Sequence, residues 1–166
     1  MKIFENMDIE PLFDNDSDWG KKHNFPAPSA ELIKRAEENI GYKLPGSYLN
    51  FLELQNGGYI KYFDCWCDGI LGISEDPKEH YGLEFTFRLR RNEWEDAPIG
   101  VPIGYTQSGG HDMYYLDYRK VDENGEPRVV RMDNEGDNAI YSVAANFTEF
   151  IRNIIERKAI RGRRIK

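Results

Sequence analysis

Apolar positions along this chain fall into blocks of helical and strand-like spacing. From Ser29, the residues Leu32, Ile33, Ala36 and Ile40 form one stripe at helical spacing. Ser29 suits the N-cap, Glu31 the first turn and Gly41 a left-handed stop, which predicts a helix over 29–41. LPGSYLNFLELQNGG predicts a second. Pro45 fits the first turn, where its missing N–H is not needed. Tyr48, Phe51, Leu52 and Gln55 then follow at helical spacing, with Leu49 widening the face. Asn56-Gly57-Gly58 can adopt positive φ and ends that helix sharply. The clearest stripe is Phe147, Phe150, Ile151, Ile154 and Ile155, preceded by Asn146 and Glu149 in the arrangement of a capping box with Asn in place of Ser or Thr.

Between the helices the pattern changes. YIKYFDCWCDGILGI is rich in aromatic and β-branched residues and reads as strand, turn, strand. Residues 99–105 make a short strand whose Pro102 belongs at a sheet edge or strand end. Gly109-Gly110 turns the chain into DMYYLDY, and DENGEP, centred on Asn124-Gly125, joins that strand to 128–132 as a β-hairpin. Residues 83–96 admit two readings: Leu83, Phe85, Phe87 and Leu89 alternate as in a strand, while the continuation through Arg90, Arg91 and Trp94 looks helical. The expected organisation is an irregular N-terminal segment over 1–28, one domain over 29–156 and a solvated basic tail over 157–166. No internal repeat or linker divides it further.

Composition narrows the class. A chain of 166 residues with 40% hydrophobic and 13% aromatic content can bury a ring-rich core and still leave rings for a binding surface. No run of about 18 apolar residues is present, so no transmembrane helix is expected. The stretch MKIFENMDIE lacks the apolar run of a signal peptide. Cys65 and Cys67 are separated by one residue, a spacing that would strain a bridge and that suits a reducing compartment, so the cytosol is the expected location. Net charge is −7, yet six of the 22 basic residues lie in the last ten positions. The body before Arg157 therefore holds 16 basic against 29 acidic residues. Such a body repels nucleic acid and favours basic protein partners.

Chemistry-bearing motifs are weak when weighed singly. Cys65-Trp66-Cys67 could offer thiolates to a metal, but a zinc site needs further Cys or His ligands, and His23, His80 and His111 are scattered. Strand alternation would put both cysteines on one face, packed as small apolar groups, with Trp66 on the other. Gly110-His111-Asp112 suggests a metal-binding or general-base step that lacks partner ligands. The acids between Asp133 and Asp137 lack the ligand pattern of a calcium loop, GYTQSGG lacks the Lys of a phosphate loop, and no serine elbow occurs. No catalytic, cofactor-binding or metal-binding residue is assigned, and the expectation is a protein that is not an enzyme.

Taken in order, the pieces resemble the SUKH superfamily (the Smi/Knr cell-wall-regulator homology domain). The resemblance is carried by Leu44-Pro45, Tyr48, Phe51-Leu52 and Asn56-Gly57-Gly58, then Pro102-Ile103-Gly104, Gly109-Gly110-His111-Asp112, Leu116-Asp117, and the 143–150 stretch VAANFTEF. His111 is inserted before Asp112 and Asn146 replaces the usual Ser. The resemblance implies an α+β fold, a mostly antiparallel or mixed sheet packed against helices. It also implies a family of non-enzymatic binders whose bacterial members are mostly immunity proteins against polymorphic toxins, many of them nucleases, and whose fungal members regulate cell-wall synthesis.

Those implications set the functional expectation: an immunity protein that blocks a toxin domain by direct binding, or alternatively a regulatory scaffold that binds host proteins. Asp64, Trp66, Asp68, Trp94 and Glu95 are the candidate contacts, chosen because they mix rings with carboxylates. Both Trp residues also fit a core role. A metal-dependent hydrolase using His111 and Asp112 is the third reading. No membrane or specific nucleic-acid partner is expected.

Overall fold

The computed structural model describes residues 3–62, 65–135 and 137–165. Seven strands form one sheet in chain order, β1 (Gly58–Tyr59), β2 (Gly69–Ile70), β3 (Gly100–Tyr105), β4 (Asp112–Val121), β5 (Pro127–Asp133), β6 (Ala139–Ala144) and β7 (Arg163–Ile165). Every neighbouring pair is antiparallel. The helices are α1 (Asp18–Lys21), α2 (Ala30–Ile40), α3 (Gly46–Leu54), α4 (Leu83–Asn92) and α5 (Phe147–Ile155), preceded by a 3-10 turn at Glu10–Leu12. α3 packs on α5, which lies against β5 and β6, while α4 packs against β3 and α2. The fold is α+β.

Local chemistry explains the helix ends. The Ser29 hydroxyl accepts from the Leu32 N–H at 3.2 Å, and Gly41 closes α2 at φ 78°. Asn146 Oδ1 accepts from the Glu149 N–H at 2.9 Å, and the Glu149 carboxylate reaches back to the Ala145 N–H at 2.6 Å. The capping box thus closes one residue earlier than its usual N-cap target. Pro45 is itself the N-cap of α3, just outside the first turn.

The core is a web of rings. Phe51 and Phe147 lie 5.4 Å apart, edge to face; Tyr48 meets Phe147 at 5.2 Å and Tyr114 meets Phe150 at 5.0 Å. Such pairs add about 0.5–1.5 kcal/mol each beyond their burial. Among the described residues, no helix is long and apolar enough to cross a membrane.

Four expectations change. Residues 83–92 are helical: the apolar alternation is coincidental, and the inward face is Leu83, Glu84, Thr86 and Arg90. Its charged members are paired, Glu84 with Arg35 at 2.7 Å and Asn39 at 2.6 Å, and Arg90 with Asp96 at 2.7 Å. The segment after Arg157 is no free tail, because Ile160 is buried and β7 pairs with β6. The first 28 residues contribute Phe4, Ile9, Leu12 and Phe13 to the same core. Finally, Cys65 and Cys67 are buried as expected, but on an irregular turn with Trp66 at φ 62°, not by alternation along a strand. Pro102 lies where β2, which pairs only with Gly104 and Tyr105, leaves β3 without that neighbour.

Candidate binding groove

The glycine-rich exit of α3 sets up one wall of a groove. Asn56 is buried, and its amide donates to the carbonyls of Pro26 at 2.7 Å and Ile73 at 2.8 Å. Its Oδ1 accepts from the Ile73 N–H at 2.8 Å. Gly57, at φ 79°, passes so close to His23 that a Cβ would stand 2.6 Å from the His23 carbonyl oxygen. Tyr48 adds a hydroxyl bond to the Leu71 carbonyl. These contacts hold the 71–73 strip against the N-terminal segment.

That segment presents a ring cluster. Ser17 caps α1 by accepting from the Gly20 N–H at 3.0 Å, and Asp14 receives the Ser17 hydroxyl and backbone N–H. Trp19, on α1, remains 47% exposed. His23 is buried beneath it, its ring 4.9 Å from Trp19, 4.0 Å from Tyr81, 5.7 Å from Tyr59 and 6.0 Å from Tyr105. His23 Nδ1 lies 2.8 Å from the Trp19 carbonyl, which can only accept, so Nδ1 carries the proton. Burial lowers the His23 pKa and favours the neutral ring.

The groove is open, with a volume of about 590 Å³, and lies among Trp19, Asp68, Tyr81, Arg90, Trp94 and Tyr105. Arg90 donates through Nε to Asp96 and through Nη1 to the Gly110 carbonyl, its guanidinium 4.5 Å from the Trp94 ring centre. Asp96 also receives the Tyr115 hydroxyl and the Asn134 amide. Asp68 is half-buried; burial raises its carboxyl pKa, and a hydrogen bond with Gln107 works against that. Tyr105 packs its hydroxyl end on Gly69, where any Cβ would collide with it, and burial raises its pKa too.

Of the predicted contacts, the structure brings Asp68 and Trp94 to this groove. Trp66 stands elsewhere, under the Arg161 guanidinium at 4.1 Å. Glu95 is exposed outside the groove. Asp64 lies outside the described residues. Sequence reasoning missed Trp19, Tyr81, Arg90 and Tyr105. The run Ser17-Asp18-Trp19, an N-cap leading into one helical turn, was the available signal for the first of these.

The catalytic readings find little support in the local geometry. Asp112 is engaged by Arg131 and His111 faces Glu135 at 3.5 Å. Among the described residues, no three His, Cys, Asp or Glu side chains converge as metal ligands would. An α+β scaffold whose buried charges are paired and whose open groove is walled by rings defines a binding domain. The chain belongs to the SMI1 / KNR4 family (SUKH-1), whose model matches residues 27–153. No curated protein matches the chain. Domains of this family are in general protein-binding modules of immunity or regulator type.

Proposed function

We propose that this protein is an immunity protein that neutralises a toxin domain in the cytosol by binding it through the aromatic groove, without transforming a substrate. The observation that carries this reading is the groove itself: exposed Trp19 beside Tyr81, Tyr105 and Trp94, with Asp68 among them. Large rings in a concave, partly desolvated setting are the residues that anchor protein interfaces. The acidic body adds long-range attraction for a basic partner, such as the nucleic-acid cleft of a nuclease. Asp68 and Trp94 are the central contacts, with Trp66, Glu95 and Asp64 as outlying ones.

The test is co-expression with the toxin domain encoded beside the gene, followed by a sizing column. Rescue from killing and a co-eluting complex are expected, both lost in the Trp94→Ala variant. Unchanged killing with no complex would sink the immunity reading and leave a regulatory scaffold as the alternative.

A further inference from the structure

We propose that the groove is a receptor for one arginine side chain of the protein partner, with its guanidinium bonded to Asp68 and stacked against the rings of Trp19, Tyr81 and Tyr105. This rests on the groove being the partner face. The first observation concerns carboxylates. Every fully buried one has an arginine: Glu84 has Arg35, Asp96 has Arg90, Asp112 has Arg131, and Asp117 has both Arg119 and Arg128. Asp68 is half-buried among rings, and among the described residues no Lys, Arg or His stands within ion-pair distance of it. Gln107 supplies only a neutral hydrogen bond. A carboxylate partly stripped of water and lacking a counter-charge favours an incoming cation.

The second observation is the Tyr105 hydroxyl, which is buried without a hydrogen-bond partner. A buried hydroxyl left unpaired is costly, and a guanidinium N–H would satisfy it. Tyr105 and Asp68 line the same groove, so a planar fork with five donors can serve both, whereas the compact ammonium of lysine is less suited to two separated acceptors. The ring walls add cation–π attraction. This chain repeatedly packs guanidinium against rings, Arg131 on Tyr141 at 3.9 Å and Arg161 on Trp66 at 4.1 Å.

Arg90, on the opposite wall, does not oppose the cation, because Asp96 balances its charge at 2.7 Å. Its Nη2 has no hydrogen-bond partner, which leaves a donor for a backbone carbonyl of the same partner segment. The groove is therefore suited to a short stretch of chain carrying an arginine, not to a free anion.

The probe is the blocked tripeptide acetyl-Gly-Arg-Gly-amide, titrated into the full chain and followed by the indole N–H signals of Trp19 and Trp94 in 1H–15N spectra. Saturable shifts in the millimolar range are expected. The citrulline analogue, equal in shape but uncharged, should bind at least about tenfold more weakly, and Asp68→Asn should weaken the arginine peptide by a similar factor. Tyr105→Phe, which removes only the unpaired hydroxyl, should keep the native spectrum and weaken binding about threefold. Equal titration by the citrulline peptide, unchanged binding by Asp68→Asn, or no shift at the two indoles would overturn the proposal. The measurement uses no toxin, so it can fail while neutralisation succeeds, or succeed while neutralisation fails.

Discussion

Asn56 offers the sharpest test of how the α3 exit is held. Its side chain makes three hydrogen bonds, two to Ile73 in a buried setting and one to Pro26 in a partly buried one. Asn56→Ala removes all three and leaves the Ile73 N–H and two carbonyls without that partner. A buried polar group left unsatisfied costs about 1–3 kcal/mol. Water can reach the Pro26 carbonyl more readily than Ile73, so the sum is about 3 kcal/mol. For a domain of this size, that lowers the Tm by about 6–12 °C. Asn56→Asp has the same shape and keeps the acceptor for Ile73, but it turns a carboxylate oxygen toward two carbonyls. It should destabilise more than Ala at neutral pH, by about 4 kcal/mol, because an unpaired charge is then buried. Lowering the pH protonates that carboxyl, restores one donor and narrows the gap to Ala. Urea unfolding followed by tryptophan fluorescence measures both variants, and hydrogen exchange at the Ile73 amide reports the local opening. A loss below about 1 kcal/mol for Asn56→Ala, or an Asp variant more stable than the Ala variant at pH 7, would refute the reasoning.

Three further outcomes follow from the packing and the ion pairs. Phe13→Ala, in the segment before the first long helix, should cost about 3–5 kcal/mol in urea unfolding, since the ring is 1% exposed and packs 5.9 Å from Phe51. Ile160→Ala should cost about 2–4 kcal/mol and speed amide exchange along β7, because Ile160 is 1% exposed and its carbonyl accepts the Tyr114 hydroxyl. For Asp117, burial raises the carboxyl pKa but hydrogen bonds from Arg119 and Arg128 outweigh it, leaving the folded-state value below the usual 3.8. Its contribution is complete above the unfolded-state value and is lost as pH falls through the folded-state one. The stability gap between the native chain and Asp117→Asn, about 2 kcal/mol at pH 7, should therefore shrink only below about pH 4.

What was legible in the sequence was local. Ser29 with Gly41, Asn146 with Glu149, and Asn124-Gly125 each act within a few residues of themselves, so α2, α5 and the β4–β5 hairpin were readable before any tertiary contact was known. α4 was not, because its inward face includes Glu84 and Arg90, whose burial makes sense only beside Arg35, Asn39 and Asp96. β7 was hidden for a related reason: an arginine-rich stretch looks solvated until β6 supplies the ladder. The groove was half legible. Composition pointed to Asp68 and Trp94, but nothing local says that Trp19, Tyr81 and Tyr105, far apart in the chain, converge on them.

The residues that carry the family resemblance and those that line the groove do different physical work. Tyr48 and Asn56 pin the 71–73 strip, Asp117 holds two arginines, and Phe147 is central to the ring core. Each is buried, so substitution there disturbs the scaffold before it alters any surface. The groove draws instead on connections: α1, the turn carrying Asp68, the loop before α4, and the segment after it. Only the Gly109-Gly110 turn belongs to both sets. Trp19 and His23 even lie outside the matched span of 27–153, as do Phe4, Phe13 and Ile160 of the core. The chain thus adds packing at both ends of the family domain and, at one end, a ring wall for its groove. A scaffold arranged this way can exchange groove side chains at little cost to its core, because none of the family-pattern residues that bear the buried hydrogen bonds supplies a groove side chain. Grafting Trp19→Ala together with Tyr81→Ser should accordingly change what is bound while leaving urea stability within about 1 kcal/mol, whereas any one substitution at Tyr48, Asn56 or Asp117 should do the reverse.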